Sequence, residues 1–232
     1  MSKIVFITGA NKGLGFEAAR RLAQLGHTVL VGARDADRGR KAAAEIGGRF
    51  VAVDVTDDAS VAAAAADVAA HEGHVGVLIN NAGIAGPHAP AAELTGADAT
   101  LVLDTNVVGI VRMTAAFLPL LRDGADPAVV NVTSGLGSQA LTHDPARIES
   151  QVVAPLYTAS KAAVTMLTTQ YAKAFPDIRF NAVDPGYTAT DLNANSGPQT
   201  VTEGTDAIVA LATEDAAAGT GRYVDRFGPL PW

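Results

Sequence analysis

The sequence predicts an α/β fold, in which a doubly wound, mostly parallel sheet of seven strands carries helices on both faces. Two patterns predict it: short apolar runs alternate with helical patterns along the whole chain, and the apolar runs contain few polar residues. Strands that are apolar on both faces are typical of parallel sheets buried between helices. Right-handed crossovers then wind the sheet in both directions. No linker divides the 232 residues, so we expect a single domain, residues 1–232.

Seven short apolar runs are predicted to be strands, and the first of them is rich in β-branched residues. In chain order they are Lys3–Ile7, His27–Gly32, Arg49–Val53, Val75–Ile79, Ala128–Thr133, Ile178–Val183 and Arg222–Val224.

The segments between these strands show helical patterns. In the first of them, Ala18, Leu22 and Leu25 fall on one face, and in the third the run Ala62–Ala66 favours a helix strongly. In chain order the predicted helices are Gly13–Leu25, Asp37–Ile46, Asp57–Ala70, Ala97–Leu121, Leu156–Ala174 and Val201–Ala212.

The composition argues against several classes of function. There are no cysteines, which rules out disulfides, thiolate catalysis and zinc–thiolate sites. The net charge of −7 gives no electrostatic footprint for a nucleic acid or an anionic membrane. The five histidines lack metal-ligand spacing, and no metal is expected. No stretch approaches the roughly 18 apolar residues of a membrane span and no signal peptide is recognised, so we expect a cytoplasmic protein.

A glycine-rich loop follows the first predicted strand and leads into a helix. Its sequence is Thr8-Gly9-Ala10-Asn11-Lys12-Gly13-Leu14-Gly15, with the spacing Gly-x3-Gly-x-Gly. Backbone N–H groups and the helix dipole make such a turn an anion site suited to a pyrophosphate. Taken alone, the loop is equally consistent with a tight structural turn.

Six segments, taken together and in order, resemble the short-chain dehydrogenase/reductase family, which has a Rossmann fold. The resemblance covers residues 4 to about 192, and the set is far more specific than any one motif. The segments are the glycine loop, Asn80-Asn81-Ala82-Gly83, Asn106, Ser134, Tyr157-x3-Lys161, and Pro185-Gly186 with Thr188, Thr190 and Asp191. Asn11-Lys12, Ala33-Arg34-Asp35 and the final Trp232 are most similar to the carbonyl-reductase-like branch.

The resemblance implies an NADP(H)-dependent oxidoreductase that reduces a ketone or aldehyde, or oxidises the corresponding alcohol. The catalytic residues that it implies are Ser134, Tyr157, Lys161 and Asn106. The cofactor-binding residues that it implies are Gly9, Asn11, Lys12, Gly13, Leu14, Gly15, Arg34, Asp54, Val55, Asn81, Ala82, Gly83, Tyr157, Lys161, Pro185, Gly186, Thr188 and Thr190. Lys161 would bind the nicotinamide ribose, Asp54-Val55 the adenine, and Asn106 would support a water-mediated proton path.

The chemistry expected of this set centres on a phenolic proton. Tyr157 and Lys161 are four residues apart, so both project from one helix face. A nearby ammonium favours the phenolate, so we expect a lowered pKa for Tyr157, which then acts as general acid or base. The Ser134 hydroxyl would hydrogen-bond the same substrate oxygen.

The end of the second strand favours NADPH over NADH. By resemblance to NADP-dependent relatives, Arg34 faces the adenosine ribose, where its planar guanidinium can bind a 2′-phosphate, and Lys12 could reach that phosphate from the other side. Asp35 would favour NAD if it faced the ribose, but it can cap the following helix instead. Arg38 is a weaker third candidate.

Three features leave the substrate and the chemistry open. Twenty-two residues separate Ser134 from Tyr157, and the segment after Asp191 is short, so the pocket wall departs from the family pattern. The loops Gly135–Pro155 and Asn193–Thr200 are long or polar, and the second is expected to be mobile. The pocket loops hold apolar residues and few fixed charges, which favours an apolar ketone, aldehyde or quinone. A catalytically idle dinucleotide-binding regulator, or an epimerase or dehydratase of the same fold, are the alternatives.

A homo-oligomer, either a dimer or a tetramer, is expected from the family. Ala162, Ala163, Met166 and Leu167 could supply the contact face on the Tyr157 helix. An enlarged Gly135–Pro155 loop that covered this face would leave a monomer.

Overall fold

The computed structural model of the chain describes residues 2–232 and contains one eight-stranded sheet of order β3-β2-β1-β4-β5-β6-β7-β8. Strands β1 to β7 are parallel, and β8 is antiparallel to β7. The strands are β1 (Ile4–Thr8), β2 (Thr28–Ala33), β3 (Arg49–Ala52), β4 (Val77–Asn80), β5 (Ala128–Val132), β6 (Arg179–Val183), β7 (Tyr223–Asp225) and β8 (Gly228–Pro229). The predicted doubly wound α/β class is confirmed.

The predicted count of seven strands is one short. β8 has only two residues, and neither glycine nor proline carries a strand signal. The chain turns back there because the Asp225 carboxylate accepts hydrogen bonds from the backbone N–H groups of Phe227 and Gly228.

Both faces of the sheet are buried, as the apolar strands predict. Val5 and Ile7 of β1 face one core cluster, and Phe6 between them faces the other. On the second face the rings of Phe6 and Phe117 lie 4.6 Å apart between centroids. Residues that alternate along the strand therefore contribute to opposite cores.

Helices cover the two cores. The helices are α1 (Gly13–Gln24), α2 (Ala36–Ile46), α3 (Asp58–His71), α4 (Gly96–Leu103), α5 (Gly109–Arg122), α6 (Gln139–His143), α7 (Pro155–Ala174), α8 (Val201–Gly204) and α9 (Asp206–Thr213). Buried residues of α1, α2 and α9 belong to the core that contains Val5, whereas those of α3 and α5 belong to the core that contains Phe6.

Two predicted helices are divided. The predicted helix Ala97–Leu121 consists of α4, a π-helical turn over Asp104–Val108, and α5. The predicted helix Val201–Ala212 breaks at Thr205, between α8 and α9. The short helix α6 lies within a loop that the sequence did not resolve into elements.

The continuous helical run Gly96–Arg122 is long and apolar enough, by length and composition, to cross a membrane. Its 27 residues include an 18-residue window of mean hydropathy 1.5. The expectation that no segment approaches a membrane span was therefore too strong by this measure. A single such helix is weak evidence, because core helices have the same composition, and Met113 and Phe117 of this run are fully buried in the core.

The strand order reverses between β1 and β4. β1 continues to β2 on one side, while β4 continues to β5 on the other. The loops that leave the carboxyl ends of these two strands therefore diverge and open a crevice, which is where ligands bind in open α/β sheets.

Candidate active site

The glycine loop lies at this crevice, between β1 and α1. Gly9 and Gly13 have φ values of 65° and 56°, which L side chains rarely adopt. Helix α1 begins at Gly13, and the side chain of its N-cap residue, Lys12, makes no capping hydrogen bond. The backbone N–H groups of the first turn therefore lack a side-chain cap and can receive an anion.

The glycine loop is held against the loop after β4. The Thr8 hydroxyl accepts hydrogen bonds from the backbone N–H groups of Asn81 (2.9 Å) and Ala82 (3.0 Å). The Asn81 amide donates to the Thr8 carbonyl at 2.9 Å. A Cβ on Gly15 would lie 2.5 Å from the Asn81 amide nitrogen and 2.6 Å from the Gly9 carbonyl oxygen. Asn81 and Gly15 thus shape the loop, and the structural role of Thr8 was not foreseen from the sequence.

Asn106 lies in the π-helical turn and is 1% exposed. Its Oδ1 accepts from the backbone N–H of Ile84 at 2.8 Å, and its Nδ2 donates to the Ile84 carbonyl at 2.9 Å and to Ser160 Oγ at 3.0 Å. A Cβ on Gly83 would lie 3.3 Å from Asn106 Oδ1 and 3.6 Å from Lys161 Nζ. The Asn106 side chain therefore ties the loop after β4 to helix α7, next to Lys161.

Ser134, Tyr157 and Lys161 come together, as the sequence predicts. Ser134 follows β5, and its Oγ accepts from the Leu136 N–H at 3.3 Å. Tyr157 is in the first turn of α7, which Pro155 opens, and the Ser134 side chain lies near its hydroxyl. Lys161 lies one turn later, with its Nζ 5.6 Å from the Tyr157 ring centroid and donating to the Val132 carbonyl at 3.0 Å.

The expected lowering of the Tyr157 pKa is wrong for the protein chain alone. Burial and the charge of Asp184 raise the pKa of Tyr157 to about 12, and the nearby Ser134 hydroxyl opposes this only in part. Burial lowers the pKa of Lys161 to about 8, against the pull of Asp184. The spacing of Tyr157 and Lys161 shows the ammonium nearby, but it shows neither the burial of the phenol nor the position of the Asp184 carboxylate.

The end of β2 presents an exposed arginine, loosely paired with Asp54, and an aspartate that caps the next helix. The Arg34 side chain is 79% exposed, with its Nη1 3.8 Å from Asp54 Oδ2. Asp35 caps α2 by accepting from the Arg38 N–H at 2.9 Å, and its other oxygen lies 2.8 Å from Arg38 Nε. The predicted cap is confirmed, and Arg38 is paired with it.

Lys12 is also paired. Its Nζ lies 2.9 Å from Asp191 Oδ2, with both side chains largely exposed. This ion pair joins the glycine loop to the segment after β6 across the surface of the crevice. For Lys12 to reach a phosphate beside Arg34, it would have to leave Asp191.

The segment after β6 folds over the glycine loop. Gly186 has a φ of 70°. Thr188 is buried and donates to the Pro185 carbonyl at 2.9 Å, so its hydroxyl is engaged within the segment. Thr190 comes close to the glycine loop, because a Cβ on Gly13 would lie 4.0 Å from its Cγ2.

Leu14 and Val55, two of the predicted cofactor-binding residues, have close packing contacts within the fold. A Cβ on Gly204 would lie 2.9 Å from Leu14, and one on Gly109 would lie 3.0 Å from Val55. In the Gly135–Pro155 loop Leu141 is buried, whereas Val152 and Val153 are exposed, with Val153 at 82%.

Sequence reasoning missed a group of carboxyl groups beside Ser134. Asp184 directly follows β6 and is buried. Its neighbours include Glu149 and Asp225, and burial together with these charges raises the pKa of Asp184 despite backbone hydrogen bonds. The one available signal was the position of Asp184 at the carboxyl end of a strand next to the crevice.

Comparisons with known proteins agree with this geometry. A family model described as short chain dehydrogenase matches residues 3–200. A short-chain dehydrogenase of Penicillium roqueforti is 36% identical, over 96% of this chain and 93% of the relative. The NADPH-bound carbonyl reductase from chicken fatty liver superimposes with a TM-score of 0.88 at 28% identity, covering 100% of this chain and 99% of that one. A 3-ketoacyl-(acyl-carrier-protein) reductase from Brucella melitensis complexed with NADH gives a TM-score of 0.85 at 26% identity, covering 96% of each.

Proposed function

The chain belongs to the short-chain dehydrogenase family, and from that premise we propose that it is an NADP(H)-dependent oxidoreductase acting on a carbonyl or the corresponding alcohol. In this proposal residues 1–232 form one domain that binds the dinucleotide and carries the catalytic residues. The observation that carries the proposal is the convergence of Ser134, Tyr157 and Lys161 beside the glycine loop.

The crevice suits a dinucleotide. The uncapped start of α1 and the positive φ of Gly9 and Gly13 leave room and N–H donors for a pyrophosphate. Gly83, beside Lys161 Nζ, leaves space that a side chain would fill. A bound nicotinamide dinucleotide would supply the hydride, and the chain would orient it.

Tyr157 would act as the general acid in reduction and the general base in oxidation. With a pKa of about 12 for the chain alone, its phenol holds the proton at neutral pH and can give it to a carbonyl oxygen during reduction. Alcohol oxidation needs the phenolate, which positive charge at Lys161 and at an oxidised nicotinamide would favour. Ser134 would donate to the same substrate oxygen.

NADPH is the proposed cofactor because of the arrangement at the end of β2. Arg34 is 79% exposed and only loosely paired with Asp54, at 3.8 Å, so its guanidinium can reach a 2′-phosphate, whereas the Asp35 carboxylate caps α2. A carboxylate that caps a helix no longer competes for ribose hydroxyls. The NADPH-bound neighbour from chicken and the NADH-bound neighbour from Brucella melitensis represent the two options within this fold.

The substrate proposed is a moderately apolar ketone, aldehyde or quinone. The loops that flank the site expose Ile148, Val152, Val153, Tyr187 and Leu192. Apolar walls with few convergent polar groups are typical of such pockets.

The test is the loss of NADPH absorbance with a panel of aldehydes, ketones and quinones, run beside the same panel with NADH. We expect turnover with at least one apolar carbonyl and a preference for NADPH. Tight NADPH binding without turnover of any panel member or of the matching alcohols would favour an idle regulator. Conversion of a substrate without net consumption of the dinucleotide would favour an epimerase or dehydratase.

A homo-oligomer is proposed through the exposed apolar side chains of the long helices. Met166 on α7 is 58% exposed, and Val108 and Val111 of the neighbouring helical run are also exposed. Sedimentation at micromolar concentration is expected to show a dimer or tetramer, and a single 23.6 kDa species would contradict this.

A further inference from the structure

The Tyr223 hydroxyl is a buried group that the proposed chemistry leaves unused. Tyr223 begins β7 and is 2% exposed, and its hydroxyl donates to the backbone carbonyl of Ser134 at 2.7 Å. Strand β6 lies between β7 and β5, so the phenol reaches the end of β5 across the width of a strand. The hydrogen bond therefore joins β7 directly to the residue that carries one of the proposed catalytic hydroxyls.

The Ser134 carbonyl is held by two donors. Besides the Tyr223 hydroxyl, it accepts from the backbone N–H of Gly137 at 2.7 Å, which closes the 3₁₀ turn Gly135–Gly137. The Ser134 side chain is held more weakly, since its Oγ accepts from the Leu136 N–H at 3.3 Å. The direction in which the Ser134 hydroxyl points therefore depends largely on how the Ser134 backbone is fixed.

Helix α7 supplies one set of contacts that fix this backbone. The Thr133 hydroxyl donates to the Lys161 carbonyl at 3.0 Å. A Cβ on Gly137 would lie 2.7 Å from the Lys161 carbonyl oxygen, so the turn after Ser134 packs directly on the backbone of α7. These contacts set the spacing between Ser134 and the helix that carries Tyr157.

A second set of contacts comes from Tyr223 and from the segment after β8. The buried Ser138 hydroxyl donates to the Pro231 carbonyl at 2.7 Å. The Trp232 ring packs on Tyr223, with 5.3 Å between the ring centroids. The segment therefore contacts both Tyr223 and the residues that follow Ser134, and it holds the Tyr223 hydroxyl in place against the Ser134 carbonyl.

We propose that Tyr223 is a positioning residue that acts through Ser134: its hydroxyl holds the Ser134 carbonyl and so aims the Ser134 hydroxyl at the substrate oxygen that Tyr157 protonates. This rests on the proposed function. A hydrogen bond from Ser134 to that oxygen accelerates the reaction only when the donor is aligned with the charge that develops in the transition state. A displacement of about 1 Å can lower the rate of such a reaction about 100-fold, so the backbone anchor of Ser134 bears directly on turnover.

The test is a double-mutant cycle on kcat with Tyr223→Phe and Ser134→Ala. Phenylalanine keeps the ring that packs against Trp232 and removes only the hydroxyl. We expect Tyr223→Phe alone to lower kcat about tenfold, with the KM for NADPH unchanged. In the Ser134→Ala background the same substitution is expected to lower kcat by less than about twofold, because no Ser134 hydroxyl remains to be aimed. Tyr171→Phe, in the aromatic cluster of α7, is the matched control and should leave kcat unchanged in both backgrounds.

A purely structural role for the Tyr223 hydroxyl would give a different result. If Tyr223→Phe changes kcat by the same ratio in both backgrounds, the proposal is overturned. If Tyr223→Phe does not fold, Ser138→Ala takes its place in the cycle, because it loosens the same segment by removing the hydrogen bond to Pro231. We expect a smaller loss of kcat that likewise disappears without the Ser134 hydroxyl, and an equal ratio in both backgrounds again overturns the proposal.

A second readout separates this proposal from the proposed function. In protein labelled with carbon-13 serine, the Ser134 Cβ resonance is assigned by its absence in Ser134→Ala, and it reports the orientation of the side chain without turnover. We expect this resonance to shift or broaden in Tyr223→Phe and to stay in place in Tyr171→Phe. A resonance that stays in place in Tyr223→Phe contradicts the role of Tyr223. Absence of turnover in the parent, together with a displaced Ser134 resonance, counts against the proposed function alone.

Discussion

At the scale of single residues, the site depends on how the phenol of Tyr157 is surrounded. Burial and the charge of Asp184 raise the pKa of this phenol, and the Ser134 hydroxyl opposes them in part. The chain alone therefore holds a protonated tyrosine, and the same side chain can serve as a base only when further positive charge is bound beside it.

Replacement of Tyr157 by Phe should reduce kcat by about 10²–10⁴-fold while NADPH affinity changes little, because only the phenolic hydroxyl is lost. Steady-state turnover and a fluorescence titration of NADPH measure the two effects. Tyr171→Phe, on the same helix but within an aromatic cluster with Phe175 and Phe180, is the control that should retain activity. A Tyr157→Phe enzyme with more than about a tenth of the parent kcat would disprove the acid–base role.

Replacement of Arg34 by Ala should weaken NADPH binding about 10–100-fold, since one charge-assisted contact contributes about 1.5–3 kcal/mol. NADH binding should change far less. The measurement is kcat/KM for both cofactors in the variant and the parent. The matched control is Arg40→Ala, which removes an exposed arginine that is paired with Asp37 on helix α2. Equal losses with both cofactors would remove Arg34 from the 2′-phosphate site.

Much of the site could be predicted residue by residue, because its members are tied to recognisable positions in the strand–helix pattern. Ser134 follows a strand, and Tyr157 and Lys161 are a helical turn apart. The acidic neighbours were not predictable in this way. Glu149 and Asp184 are far apart in sequence and meet only because a loop returns across the carboxyl end of β6. The raised pKa of Tyr157 likewise follows mainly from burial, which the local sequence pattern does not show.

At the scale of elements, the absence of a side chain at Gly15 lets the glycine loop pack closely against the loop after β4. Gly15 lies inside α1, where alanine would ordinarily favour the helix by about 1 kcal/mol. Here the added methyl group would meet Gly9 O and the Asn81 amide. Such overpacking typically lowers stability by about 1–3 kcal/mol, which exceeds the gain in helix propensity.

Gly15→Ala is therefore expected to lower the thermal midpoint by several degrees and to weaken NADPH binding, because the displaced loop no longer presents its N–H groups. Differential scanning calorimetry and an NADPH titration give the two numbers. Gly96→Ala is the matched control: this glycine opens α4 with no atom near its would-be Cβ, so alanine there should be neutral or slightly stabilising. Unchanged affinity in Gly15→Ala would contradict the close-approach argument.

The boundaries of elements were harder to predict than their existence. The π-helical turn at Asp104–Val108 has the same apolar periodicity as the α-helices on either side, so the sequence showed one long helix. What favours the turn is tertiary: the Asn106 side chain is bonded to the backbone of Ile84 and to Ser160. Helix propensity depends on the local sequence, so it could not predict the contacts of Asn106 with Ile84 and Ser160.

At the scale of the whole molecule, the alternation of strands and helices was enough to predict the doubly wound sheet. A parallel sheet requires helical crossovers, and the chain provides them at every step from β1 to β6. The eighth strand escaped prediction because its two residues pair through a turn at Asp225 and carry no pattern of their own.

The stability of the fold should depend on pH through the ionisation of Asp184. Its pKa is raised in the fold, so its contribution to stability is fully present below the pKa of an unfolded aspartate and is lost as pH rises through the folded value. Thermal midpoints of the parent and Asp184→Asn should therefore separate as pH increases from about 4 towards 7, with the variant more stable at neutral pH. Midpoints that stay equal across this range would show that the carboxyl group carries no cost to the fold.

The burial of Asp184 also predicts which amino acids are favoured at position 184 when stability alone is selected. A carboxyl group buried beside two others lowers stability, so mutation without selection on catalysis would tend to replace it. In a saturation library sorted only for folded protein, Asn or Ser should outcompete Asp at position 184.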